Sequence, residues 1–186
     1  GAAVCIDNNT GLVRAIVGGR SQDLSGYTLN RAYQSYRQPG SAIKPLIVYT
    51  PALENGYTPD TIVTDQAIEN GPENADGAYL GEITLRTAVA KSRNTVAWQI
   101  FNKLTPHKCI SYLTNMNFQK VSPQDEVPAA SIGGFTQGVS PLEMAKGYAT
   151  IYNDGKMRDA GCITAILDAK GNKIYQSKQE AVVIYQ

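Results

Sequence analysis

Residues 37–45 read Arg-Gln-Pro-Gly-Ser-Ala-Ile-Lys-Pro, and this stretch decides both the fold and the chemistry of the chain. The Pro-Gly pair before Ser41 disfavours helix, whereas Pro45 is tolerated only in a first helical turn, where backbone N–H groups lack intrahelical partners. Both constraints place a helix start at or next to Ser41. Ser41 and Lys44 then stand at positions i and i+3, so their side chains share one face.

A serine and a lysine in this arrangement have the parts of an activated nucleophile. The partial positive charge at the helix start stabilises an oxyanion near Ser41. The same field, together with burial, is expected to lower the pKa of Lys44 towards that of a usable base. The only histidine is His107, and nothing near it supports a Ser-His-Asp triad. Ser-x-x-Lys is a short pattern that chance also produces, but it occurs once in this chain.

A second polar motif, Ser92-Arg93-Asn94, lies between two predicted helices. The Ser92 hydroxyl could relay a proton between Lys44 and a leaving group. The Asn94 amide could both donate to and accept from a peptide bond. The alternative is a polar turn between helices, in which Ser92 or Asn94 caps the next helix.

Bulk composition excludes several classes of function. The 186 residues carry a formal net charge of +1, which provides no long-range field for nucleic acid or an anionic membrane. No run reaches the roughly 18 apolar residues of a membrane span. The three cysteines are too scattered for a metal site or a disulfide framework, and we predict that they are small buried apolar residues. A Cys5–Cys162 bridge is the alternative, should their strands meet.

Local patterns predict strands at both ends of the chain and helices between them. Hairpins are predicted at residues 2–17 and 161–175, and residues 20–38 and 56–81 are read as irregular. Helices are predicted at 41–53, where Pro51 should kink or shorten the helix, and at 84–91, 95–104, 106–116 and 140–153. The last helix starts with a capping box at Ser140 and Glu143, and the one before it with Thr105-Pro106. This order favours the α+β class.

Together these residues resemble the serine acyltransferases that bind penicillin, whose motif set is Ser-x-x-Lys, Ser-x-Asn and Lys-Thr-Gly. The likeness to the transpeptidase domain of class A, bifunctional penicillin-binding proteins covers nearly the whole chain. It is carried by residues 2–19, 37–45, 84–98 and 133–155. The resemblance implies an α+β fold with an antiparallel sheet flanked by helices, and an all-helical lobe that carries Ser92 and Asn94.

The resemblance also implies a mechanism. Ser41 would attack the penultimate D-Ala carbonyl of a peptidoglycan stem peptide, the terminal D-Ala would leave, and an amine of a neighbouring stem peptide would take the acyl group. Lys44 would be the general base, Ser92 would pass the proton to the leaving nitrogen, and Asn94 would hold the substrate's amide and orient Lys44. β-Lactams would acylate Ser41 as mimics of D-Ala-D-Ala. No metal or organic cofactor is implied.

The chain departs from the family's pattern in two ways. It contains no Lys-Thr-Gly or Lys-Ser-Gly, and no glycosyltransferase domain or membrane anchor. We interpret residues 1–186 as one incomplete, soluble transpeptidase domain of a protein anchored at the extracytoplasmic face of the bacterial membrane. Because the third motif supplies half of the family's oxyanion hole, residues 1–186 alone are expected to be poorly stable and to acylate negligibly.

Two other interpretations are open. In a DD-carboxypeptidase or β-lactamase, water would accept the acyl group, but residues 133–155 resemble the large synthases instead. A non-catalytic wall-binding or β-lactam-sensing module could keep the same fold. The presence of Ser41, Lys44, Ser92 and Asn94 argues against loss of catalysis.

Overall fold

The computed structural model describes residues 1–20, 28–178 and 180–186, so residues 21–27 of the predicted irregular segment 20–38 lie outside the described residues. The chain divides into two compact units. The first comprises residues 1–36, 140–184 and 186, and the second comprises residues 37–139 and 185. The described strands are β1 (Ala3–Ile6), β2 (Val13–Val17), β3 (Ile62–Asp65), β4 (Gly81–Thr84), β5 (Lys156–Met157), β6 (Ala165–Leu167), β7 (Lys173–Gln176) and β8 (Val182–Val183). The α-helices are α1 (Thr50–Glu54), α2 (Leu85–Ala90), α3 (Asn94–Leu104), α4 (Pro106–Asn115) and α5 (Pro141–Tyr152).

Three antiparallel strand pairs belong to the first unit. The hairpin β1–β2 is confirmed, with Ala3 opposite Val17, and its turn is held by the Asp7 carboxylate, which accepts from the backbone N–H groups of Asn9 and Thr10 at 3.0 and 3.1 Å. The second predicted hairpin is confirmed as β6–β7, with a shorter first strand than expected. The third pair, β5–β8, was not predicted.

Helix α5 begins where its capping box predicts. Ser140 donates its backbone N–H to the Glu143 carboxylate at 2.7 Å, and the Glu143 N–H returns to the Ser140 hydroxyl at 3.3 Å. The helix packs against β1. Two large side chains of this helix, Tyr148 and Tyr152, are exposed, at 44% and 64%.

The prediction for the cysteines is correct for one of the three. Cys109 is buried in α4, whereas Cys5 and Cys162 are exposed, and all three are free thiols. The prediction fails at Cys5 because side chains alternate along β1: Val4 and Ile6 are half-buried, and Cys5 lies on the opposite, exposed face.

The second unit contains the predicted helix around Ser41, in an irregular form. Residues 40–54 form a continuous helical run: a 3₁₀ turn at Gly40–Ile43, a π turn at Pro45–Tyr49, and then α1. Its apolar side chains form much of the core with those of α3 and α4. Fully or almost fully buried are Ile43, Leu46, Ile47, Val48, Val96, Phe101, Ile110 and Leu113.

The remaining helices of this unit follow the sequence closely. The Thr84 and Thr105 side chains cap α2 and α4 by accepting from the backbone N–H groups of Thr87 and Lys108. The loop predicted for residues 56–81 is wrong in part, because β3 and β4 form an antiparallel pair with Ile62 opposite Thr84. The lobe that carries Ser92 is therefore helical apart from this pair. None of the described helices is both long and apolar enough to cross a bilayer.

Candidate active site

The Lys44 amine lies at the centre of the site. Lys44 as a whole is 1% exposed. Its Nζ lies 2.7 Å from Asn94 Oδ1, 2.9 Å from the Ser92 carbonyl oxygen and 3.2 Å from Ser92 Oγ. The structure therefore brings together three of the four residues that the sequence singled out, from segments about fifty positions apart.

Ser41 stands one 3₁₀ turn before Lys44. The Lys44 backbone N–H donates to the Ser41 carbonyl oxygen, which is the i to i+3 bond of that turn. Because a 3₁₀ turn places side chains at i and i+3 directly above one another, Ser41 and Lys44 share a face. Ser41 is exposed. Within the part of the chain that the structure describes, no hydrogen bond joins the amine to Ser41 Oγ.

Burial, and to a smaller extent the nearby positive charge of Arg93, together lower the pKa of Lys44 to about 8. The direction agrees with the sequence analysis, but the second cause differs from the helix field invoked there. A substantial fraction of the side chain is therefore neutral just above physiological pH. A neutral amine can still donate to the Ser92 carbonyl and Asn94 Oδ1 while its lone pair accepts a proton.

A lysine with these contacts can take a proton from one hydroxyl and pass it on through a second hydroxyl. The exposed Ser41 is open to a ligand, and Ser92 Oγ already lies within reach of the amine. Ser92 does not cap the next helix, because the N-cap position is Arg93 and no side chain caps it. The simple capping alternative is thus not what the structure shows.

The segment before Ser41 is held in place by residues 133–139. Arg37 and Val139 form an antiparallel bridge through N–H to carbonyl bonds of 3.0 and 2.9 Å. The Gln38 side chain forms a reciprocal pair of 2.6 Å bonds with the backbone of Phe135. A Cβ on Gly133, whose φ is +91°, would lie 2.3 Å from the Gly40 carbonyl oxygen. Only glycine permits this approach to the turn that contains Ser41.

Sequence reasoning missed the buried polar residues beneath the second motif. Arg93 is 3% exposed, and its guanidinium lies 2.7 Å from Asp65 Oδ2 and 2.8 Å from Asp76 Oδ2. Asn74 is 4% exposed and contacts both Asp65 and the backbone of Asn94. The sequence offered one signal for this cluster, a charged residue in the centre of the Ser-Arg-Asn motif.

Other candidates for catalysis find no support in the geometry. His107 is 80% exposed in the first turn of α4, where its Nδ1 lies 3.0 Å from Glu126 Oε1. Among the described residues, no group of three or more His, Cys, Asp or Glu side chains is arranged to hold a metal ion.

Residues 1–184 match the family model of the penicillin binding protein transpeptidase domain. The chain belongs to this family. The resemblance drawn from the motifs is therefore confirmed, and so is the α+β transpeptidase fold.

Relatives of this transpeptidase domain include penicillin-binding protein 4 of Bacillus subtilis, which is 36% identical over 100% of this chain and 30% of its own length. Among solved structures, penicillin-binding protein 1A from Haemophilus influenzae is 29% identical, with a TM-score of 0.80 over 97% of this chain and 27% of that one. The imipenem acyl-enzyme complex of penicillin-binding protein A from M. tuberculosis has a TM-score of 0.80 at 22% identity, over 98% and 52% of the two chains. The chain thus spans less than a third of the length of the curated relative.

Proposed function

We propose that this transpeptidase domain is a serine-type D-Ala-D-Ala transpeptidase that cross-links peptidoglycan stem peptides through an acyl-enzyme on Ser41. One observation carries the proposal. A buried lysine with a lowered pKa, on the same turn as an exposed serine, also contacts the serine and asparagine of a second motif. Family membership supplies the reaction class.

The proposed steps use the side chains and backbone groups of the site. Lys44 Nζ takes the proton of Ser41 Oγ as that oxygen bonds to the carbonyl carbon of the penultimate D-Ala. Ser92 Oγ passes the proton to the leaving nitrogen as the C–N bond breaks. An amine of a second stem peptide then attacks the ester carbonyl carbon, and the bond from that carbon to Ser41 Oγ breaks as the new C–N bond forms. The amine's proton returns along the same path to Ser41 Oγ. Asn94 orients Lys44 and holds the substrate's amide, and the Ser41 N–H at the helix start stabilises the oxyanion.

We further propose that both compact units belong to one transpeptidase domain, since the family model runs across residues from each. β-Lactams would acylate Ser41; the name of the penicillin-binding protein A complex describes an acyl-enzyme that imipenem forms in that protein. Because stem peptides lie outside the cytoplasm, we place the activity at the extracytoplasmic face of the bacterial membrane.

The test is covalent labelling with a fluorescent penicillin, followed by mass spectrometry of the labelled peptide. The protein at its full natural length should carry one adduct on Ser41. Ser41→Ala should abolish labelling, and the control Ser111→Ala should label at the parent rate, because its hydroxyl only donates to the Lys108 carbonyl within α4. An adduct on another residue would reject Ser41 as the nucleophile.

A further inference from the structure

Beneath the Ser92–Asn94 segment, a buried carboxylate joins three stretches of the chain. Asp65, at the end of β3, is 0% exposed. It accepts hydrogen bonds from Thr95 Oγ1 at 2.6 Å, Asn74 Nδ2 and Arg93 Nε at 2.7 Å each, and the Leu80 backbone N–H at 2.9 Å. A buried carboxylate with four donors is fully satisfied, so each donor's position depends on Asp65.

Asn74 connects this carboxylate to the site. Its Nδ2 donates to Asp65 Oδ1 at 2.7 Å and to the Ala78 carbonyl at 3.0 Å. Its Oδ1 accepts from the backbone N–H of Asn94 at 2.8 Å. Donors and acceptors on opposite sides fix one orientation of the amide, because the flipped amide would set N–H against N–H and oxygen against oxygen.

The residue before Asn74 fixes the side chain of Asn94. The Glu73 carbonyl oxygen accepts from Asn94 Nδ2 at 2.9 Å. With the Nδ2 end committed in this way, the Oδ1 end faces Lys44 Nζ at 2.7 Å. The backbone of Asn94 is thus held by Asn74, and its amide by Glu73.

The neighbouring backbone is in a conformation that requires such support. Ser92 has a φ of +51°, in the left-handed region that non-glycine residues seldom adopt. A strained residue persists when the surrounding contacts over-determine it. Arg93, the next residue, is anchored between Asp65 and Asp76.

We propose that Asp65 and Asn74 are positioning residues of the transpeptidase site, and this inference rests on the proposed function. Asp65 orients the amide of Asn74, Asn74 holds the start of α3, and Asn94 then presents its carbonyl oxygen to the Lys44 amine. Among the described residues, Lys44 Nζ is hydrogen-bonded to Ser92 and Asn94 and to neither of these side chains, so their effect is on the geometry of the base.

The experiment measures the acylation of the protein at its full natural length by a fluorescent penicillin, resolved into a dissociation constant and a first-order rate constant. Asn74→Asp keeps the shape but sets two carboxylates against each other. Since misplacement by about 1 Å can lower a rate roughly a hundredfold, we expect a fall of that order in the rate constant, with little change in the dissociation constant. The matched control is Asn102→Asp, which adds the same charge at an exposed position of α3.

The exchanged pair Asp65→Asn with Asn74→Asp provides the rescue. The new amide can donate to the new carboxylate, which still accepts from the Asn94 N–H. The exchange also removes the donor to the Ala78 carbonyl and the charge that pairs with Arg93, so part of the single variant's loss should be recovered. The final labelled fraction reports how much protein is folded, so a folding defect lowers that fraction without slowing the active molecules. Should Asn74→Asp leave no active fraction, Asn74→Ala removes the same bonds and should show the same slow step.

The outcomes separate the two proposals. A rate constant for the Asn74 variants equal to that of the Asn102→Asp control would overturn the positioning role, as would an exchanged pair that labels no faster than Asn74→Asp. Absence of labelling in the parent protein and in the control would instead reject the proposed function itself.

Discussion

At the scale of single residues, burial favours the role of base that we propose for Lys44. The amine has acceptors at 2.7 and 2.9 Å that satisfy it without forming an ion pair. The cost of burying a charge therefore favours the neutral form. A nearby guanidinium acts in the same direction.

Lys44→Arg is expected to reduce acylation nearly as strongly as Ser41→Ala, because a guanidinium cannot release its proton at physiological pH. In the parent protein the acylation rate should rise with pH through about 8, as the amine loses its proton, and this rise should vanish in the variant. Stopped-flow labelling across pH 6–9 measures both the acylation rate and its rise with pH. Lys91→Arg, at an exposed position, is the control. Lys44→Arg acylating at the parent rate would reject the assignment of the base.

At the scale of elements, the helical run of residues 40–54 owes its irregular form to its prolines. Pro45 occupies the first position of the π turn, and Pro51 follows that turn. Since Pro51 has no N–H for the carbonyl four residues earlier, regular α-helix cannot pass through it unchanged. The run continues to Glu54 with altered geometry, so the predicted kink takes the form of a π turn.

One side chain of this run is a test of core energetics. The Tyr49 hydroxyl is buried without a hydrogen-bond partner among the described residues. Tyr49→Phe should therefore stabilise the fold by about 1 kcal/mol, which raises the melting temperature by roughly 2–4 °C. Tyr185→Phe is the matched control, because its equally buried hydroxyl donates to the Leu46 carbonyl at 2.7 Å and its loss should destabilise by about 1 kcal/mol. A lower melting temperature for Tyr49→Phe would contradict this account.

The contact between Gly133 and Gly40 yields a second prediction at this scale. Gly133→Ala forces a Cβ against backbone atoms 2.3–2.4 Å away, so it should cost about 1–3 kcal/mol of stability and slow acylation by displacing Ser41. Gly56→Ala is the control, since Gly56 has a similar φ of +86° but open space around its Cβ position. Thermal melts and labelling rates of the two variants are compared. Gly56→Ala shows the effect of backbone strain alone, and any larger effect of Gly133→Ala comes from the clash with Gly40. Equal effects of the two substitutions would show that the contact is unimportant.

At the scale of the whole molecule, the sequence predicted features with local causes. Caps at Thr105 and Ser140 located the starts of two helices, and turn residues located both terminal hairpins. The proline and glycine around Ser41 located the 3₁₀ turn that contains it. Each of these signals acts within a few residues, so no tertiary information was needed.

Features that depend on distant contacts were not predicted. Strand β3 is four residues long and pairs with β4 across a polar, glycine-rich loop, so the pattern resembled a loop throughout. The ion pair of Asp65 with Arg93 spans 28 positions and becomes visible only when the chain has folded. The roles proposed for Ser41, Lys44, Ser92 and Asn94 stay predictions until they are tested by labelling.

The three thiols differ in accessibility, so the rates at which they are modified report on local opening of the folded protein. Burial raises the pKa of Cys109 to about 12, and its sulfhydryl donates to the Phe101 carbonyl. This thiol is therefore protected from electrophilic reagents, which react with the thiolate form. Cys5 and Cys162 are exposed. At neutral pH a small alkylating agent should therefore modify two thiols at once and the third only during transient separation of α3 from α4. The slow phase, followed by mass spectrometry, gives the free energy of that separation without any introduced label, and a β-lactam that rigidifies this unit should slow it further.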